Sequence, residues 1–172
     1  MDEFTGFEWL RPLLGRWTGA GVGRYPTIPS FEYNEQLHFV ADAARPLIHY
    51  EQFTRQRSEG QAVHQPSHWE SGFLRPVAGG MLEVSNAQDG GRVEVLRGPI
   101  RTAGGVLTLE LESLLLGHDE RLVRTRRTFV VEADRLRYEV HMHTNRVPAL
   151  TVHLQAELER RHEDFAGGSV PF

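Results

Sequence analysis

The stretch LGRWTGAGVGRYPT, residues 14–27, carries glycine at Gly15, Gly19, Gly21 and Gly23 with Trp17 set among them. Strand side chains alternate between faces, so Gly19, Gly21 and Gly23 leave one face almost bare and Trp17 stands on that same face. Glycine inside a strand weakens it, and marks a bend, a bulge or a close approach by another backbone or a ligand. The stretch therefore reads as a sharply curved first strand, plugged at one end by an indole.

Before it, Phe7, Leu10, Leu13 and Leu14 fall at helical spacing. Thr5 as N-cap and Glu8 three residues on form a capping box, so Phe4–Leu14 reads as a short helix. After it come strand-length runs over 31–40, 46–56, 68–77, 80–88, 92–101, 106–116, 121–132, 134–144 and 149–162, with 58–66 as a connection. Gly79-Gly80, Asp89-Gly90-Gly91, Gly104-Gly105, Gly117-His118-Asp119 and Ala133-Asp134 supply turns between them. On the run from Phe31, the residues Phe31, Tyr33, Glu35, Leu37 and Phe39 share one face. The count is ten strands. Connections this short join antiparallel neighbours, because a parallel pair needs a crossover of a dozen or more residues. A ten-strand meander has two open edges, which closure removes. The expectation is all-β: a ten-stranded antiparallel up-and-down β-barrel with a short N-terminal helix. One domain over 1–165 and a loose tail over 166–172 complete it.

Composition narrows the function classes. The 172 residues suit one hydrophobic core. A net charge of -4 without a basic block leaves no electrostatic footprint for nucleic acid. Cysteine is absent, which removes disulfides, thiolate ligands and covalently attached haem together. The N-terminus is acidic and has no apolar h-region, so export is not signalled and neither is a membrane span; cytoplasm is the expected compartment.

The chemistry-bearing candidates are histidines, of which there are nine. No pair has the spacing of a zinc hydrolase helix, and no serine sits in a nucleophile elbow. GAGVGR without a following helix is not a dinucleotide fingerprint. His141 and His143 share a strand face, as a two-histidine metal site needs, but Arg137 and Glu139 on the same face mark it as solvated. Arg126 and Arg127 read as outer-face arginines, and Met142 as core packing. Two segments remain. HWESGFLR, 68–75, opens a strand with His68 and a carboxylate. In VPALTVHLQAELER, His153 falls opposite Leu150, Val152, Leu154, Ala156 and Leu158, so simple alternation places it on the outer face.

Taken together, G-x-W-x-G-x-G followed by Tyr-Pro-Thr, then H-x-E-S-G-F-x-R, then the Pro148-to-Leu154 ending, resemble the nitrobindin family of haem-binding β-barrels. The likeness runs over residues 7–160 with the motifs in the family's order. It implies a ten-stranded barrel carrying a non-covalent ferric haem b that binds nitric oxide and isomerises peroxynitrite to nitrate. By this resemblance His153 is the axial metal ligand, His68 stands near the open distal side, and Thr27 lies at the pocket rim. Gly15, Trp17, Gly19 and Gly21 match the signature. Ser67 before His68 departs from the family pattern and implies a more polar distal pocket. The turn 145–149 is one residue longer than usual. The alternative is a carrier of a small apolar ligand without haem, which would want an interior Arg or Tyr to meet a carboxylate. Expected partners are nitric oxide and peroxynitrite, with no nucleic acid and no membrane; a homodimer is allowed by the sequence.

Overall fold

The computed structural model describes residues 7–56 and 65–162. Ten antiparallel strands close into a barrel in the order in which they follow along the chain: β1 (Gly15–Gly23), β2 (Phe31–Ala41), β3 (Ile48–Gln56), β4 (Gln65–Val77), β5 (Met81–Gln88), β6 (Val93–Ala103), β7 (Val106–Gly117), β8 (Leu122–Glu132), β9 (Arg135–Thr144) and β10 (Thr151–Arg161). Each strand pairs with its sequence neighbour, and β1 pairs with β10 to close the ring. The expected architecture is the observed one. Thr5, the 166–172 tail and most of the 58–66 connection lie outside the described residues.

The helix is a 3-10 helix, Glu8–Leu13, with no side-chain cap at Phe7. Glu8 pairs instead with Arg11 across 2.6 Å. The helix shuts one end of the barrel: Leu10, Leu13 and Trp17 are fully buried together. The Trp17 indole N–H donates to the Leu13 carbonyl at 2.7 Å, and the Arg160 guanidinium lies 4.1 Å above its ring. Burying side chains of this size contributes roughly 1.5–3 kcal/mol each, so the plug is anchored to the sheet as well as to the helix.

The bare face of β1 points inward, and the close approach it foretold is present. A side chain on Gly19 would run into the Glu157 carbonyl of β10, and one on Gly21 or Gly23 into the rings of Tyr33 or Phe31 from β2. Glycine here lets both neighbouring strands and their aromatic rings crowd against β1. The opposite end of the barrel, where β1, β3, β5, β7 and β9 finish and β2, β4, β6, β8 and β10 begin, has no helix over it among the described residues.

Candidate functional site

At this end a cavity of about 170 Å³ opens into the barrel. Its wall is mixed. Tyr25, Phe31, Leu154, Val140 and Met142 give apolar surface, while Thr54, Ser67, His68, Glu70 and Arg92 give polar surface. Met142 is both core and cavity wall, at 5% exposure. Ser67 makes the wall polar as expected, with its hydroxyl 2.8 Å from that of Thr54.

His153 is the first correction to the sequence reading, since alternation put it outside and the structure buries it to 2% exposure. The cause is a break in register between β10 and β9. Val152 opposes His141 and Leu154 opposes Val140, so His153 is an extra residue on β10. A β-bulge leaves such a residue unpaired and re-aims side chains around it. Beyond the bulge alternation resumes, and Ala156 and Leu158 are core. The His153 carbonyl accepts from the Arg24 N–H at 2.7 Å, tying the bulge to the chain leaving β1. Its ring meets Tyr25 edge to face with centroids 4.9 Å apart, and Tyr25 in turn stacks on Phe31.

The His153 tautomer follows from its partner. Nδ1 lies 2.8 Å from the Thr151 carbonyl oxygen. That oxygen can only accept, so Nδ1 carries the hydrogen and Nε2 keeps a lone pair. This is how metal-ligating histidines are usually held, the second nitrogen orienting the ring through a backbone carbonyl. Among the described residues Nε2 has no hydrogen-bond partner, and Tyr25 rather than His153 lines the cavity beside it.

His68 lines the cavity from the start of β4. Its Nε2 is 3.4 Å from Glu70 Oε2 and its Nδ1 is 3.7 Å from Asp89 Oδ1. His68 and His153 thus reach one cavity region, the second by way of Tyr25. Thr27 is exposed in the turn between β1 and β2 and is not among the lining residues. His141 and His143 face outward on β9, with His141 Nε2 3.6 Å from Glu139. Among the described residues no group of three or more His, Asp or Glu side chains is arranged to hold a metal ion by itself.

The cavity wall and the barrel interior hold charges that the sequence reading missed. Arg127, read as an outer-face arginine, is buried on the inner face of β8, where it pairs with Glu70 of β4 and Glu94 of β6. Arg126 is the outward one, bonded to Glu112. Burial works against the charge on Glu70 and Glu94, but the Arg127 guanidinium outweighs it and holds both below the usual carboxylate range. Tyr50 donates to Glu70 at 2.6 Å, and Thr125 to Glu94 at 3.0 Å. A second cluster gathers Glu35 of β2, Gln52 of β3 and Tyr138 of β9. Burial raises the Glu35 carboxyl to about 8. The signal for Glu35 was in the sequence: a carboxylate between Tyr33 and Leu37 on an apolar face has to be paired or neutral.

A closed barrel of this size, plugged at one end and holding a half-polar cavity at the other, is a small-molecule-binding barrel. The family model described as the THAP4-like, heme-binding beta-barrel domain matches residues 7–160, and the chain belongs to that family, in agreement with the nitrobindin-type motifs. A protein of Arabidopsis thaliana named peroxynitrite isomerase Rv2717c is 38% identical over 151 residues, covering 88% of this chain and 86% of its own. The peroxynitrite isomerase of Nocardia farcinica is 38% identical over 154 residues, 88% of each chain. The crystal structure of Rv2717c from M. tuberculosis superposes with a TM-score of 0.81 at 33% identity, over 94% of this chain and all of that one.

Proposed function

We propose that the open end of this barrel holds a ferric haem b through Nε2 of His153, and that the protein isomerises peroxynitrite to nitrate and binds nitric oxide. The observation that carries this reading is the bulge at His153: it buries the imidazole and fixes its tautomer with Nε2 free. The donor set fits the group. A buried imidazole oriented by a backbone carbonyl suits iron, and the rings of Tyr25 and Phe31 offer flat apolar surface next to it. When bound, ferric haem supplies a Lewis-acidic position that polarises the O–O bond of peroxynitrite.

This chain's residues do the rest. Thr151 fixes the imidazole plane, and Glu70 and Asp89 hold His68 at the cavity wall. Thr27 marks the rim. The 3-10 helix and Trp17 exclude water from the far end. The apolar-carrier alternative would use an interior Arg or Tyr for a carboxylate; of the two cavity-lining arginines among the described residues, Arg127 already faces Glu70 and Glu94 and Arg92 donates to Gln88.

Titration of the purified protein with ferric haem tests the reading. A Soret band is expected that His153→Ala removes while the far-ultraviolet circular dichroism is unchanged; equal haem spectra for both proteins would refute the axial assignment. Peroxynitrite decay followed by stopped flow, with and without haem-loaded protein, tests catalysis separately.

A further inference from the structure

We propose that Tyr33 offers a hydrogen-bond donor to a ligand in the cavity only while the buried Glu35 carries its proton, with Tyr138 relaying the state of one to the other. The inference rests on reading the cavity as the ligand chamber. Its basis is a hydrogen count on three side chains, two of which, Tyr33 and Tyr138, line that cavity with Gln52.

The Tyr138 hydroxyl oxygen lies 3.0 Å from Gln52 Nε2, 2.9 Å from the Tyr33 hydroxyl and 2.5 Å from Glu35 Oε2. Gln52 Nε2 can only donate. One of its hydrogens goes to Glu35 Oε1 at 2.8 Å and the other to Tyr138. Tyr138 therefore has one hydrogen to place and one acceptor site left.

With Glu35 ionised, the carboxylate has nothing to donate, so Tyr138 must give its hydrogen to Glu35. Its remaining lone pair then takes the hydrogen of Tyr33, which is turned inward. With Glu35 protonated, the carboxyl O–H donates to Tyr138, and Tyr138 turns its own hydrogen to the Tyr33 oxygen. The Tyr33 hydrogen is released. Its other acceptor among the described residues is the Gln155 carbonyl oxygen at 3.4 Å, a long bond that a better acceptor displaces. One proton on Glu35 thus changes Tyr33 from an acceptor to a donor, and all intervening hydrogens are accounted for in both states.

The surroundings of Glu35 place this change in an accessible range. Gly19 of β1 and Thr54 of β3 pair with it in register and bring no charge. Burial raises its carboxyl to about 8, the hydrogen bonds from Tyr138 and Gln52 lower it, Glu70 from β4 raises it and Arg127 from β8 lowers it. Among the described residues no cation bonds to it directly, in contrast to Glu70 and Glu94.

The first test needs no haem. In haem-free protein labelled at the glutamate carboxyl carbons, with Glu35→Gln identifying the resonance, Glu35 is expected to titrate near 8. The Tyr33 ring resonances should shift with the same midpoint, and Glu35→Gln and Tyr138→Phe should both abolish that shift. An ordinary carboxylate midpoint, or Tyr33 resonances that do not follow Glu35, would overturn the relay. The second test uses azide as the probe on protein loaded with ferric haem. Hydroxide competes equally in wild type and variants, so ratios of affinities are read. Glu35→Gln, whose amide N–H donates to Tyr138 at every pH, should match wild type below 8 and exceed it about fivefold above 8, the worth of one ordinary hydrogen bond. Tyr33→Phe should bind azide about fivefold more weakly below 8. Ratios independent of pH would reject the donor role. Failure to take up haem would count against the haem reading alone, and the carbon resonances would still decide the relay.

Discussion

Arg127 and Glu70 face each other across the barrel interior, with both terminal guanidinium nitrogens on the two carboxylate oxygens and Nη2 also reaching Glu94. One buried cation thereby satisfies two buried anions, with the His68 ring a further, longer contact to Glu70. Removing the cation leaves the anions stranded, which costs more than the triad contributes. Arg127→Met should lower unfolding free energy by about 3–5 kcal/mol, measured by urea denaturation.

The acid side of the same triad has a defined sign. Glu70 and Glu94 are held below their unfolded values, so their contribution is present above about 4.5 and is lost as pH falls through the folded value. Glu35 works the other way. Its folded value of about 8 lies above the ordinary 4.5, so the folded protein keeps a proton that the unfolded chain has lost between those limits. Stability from this group is full below 4.5 and falls as pH rises toward 8, at up to about 1.4 kcal/mol per unit. In Glu35→Gln this decline should vanish, which urea midpoints taken at intervals across that window would reveal.

Gly21 has the Tyr33 ring where a side chain would go, whereas Gly90 has open space around it. Overpacking of this kind typically costs 1–3 kcal/mol, roughly. Gly21→Ala should therefore lower the melting temperature by several degrees and disturb the Tyr33 ring signals, while Gly90→Ala leaves both within about 0.5 kcal/mol of wild type.

Tyr25 shields His153 beside the cavity, its ring edge-on to the imidazole. On the proposed axial assignment, a group reaching His153 from the cavity would meet that phenol first. Tyr25→Ala should take up ferric haem faster than wild type in stopped flow while keeping the same Soret position, as the proposed ligation by His153 requires. A slower uptake would show that the ring guides the haem instead.

The barrel was legible because its turns are spelled in Gly and Asp and its connections are short. The glycine stripe also announced its crowded inner face. His153 escaped alternation because counting by twos assumes no insertion. The bulge is fixed by partners that a single sequence does not display, namely His141 and Val140 on β9 and the Arg24 N–H. Arg127 escaped for a related reason: next to Arg126 it looks like half of a solvated pair, and its two anions come from strands far away in the chain. Glu35 was visible on the apolar face of β2, but its partners Gln52 and Tyr138 converge only after closure. The short helix was expected from apolar spacing, which does not distinguish a 3-10 turn from an α-helical one.

The seam between β1 and β10 carries a kinetic consequence. It joins the most widely separated strands, with Arg24 and Gln155 bonded across 131 positions. Contacts of such separation are the slowest to form, because the loop entropy has to be overcome before they return anything. His153 lies on that late strand, and its carbonyl is latched to the residue just after β1. Folding intermediates with nine strands in place would thus lack an ordered imidazole, and, with His153 as the proposed ligand, haem capture would become a checkpoint that only a finished ring can pass.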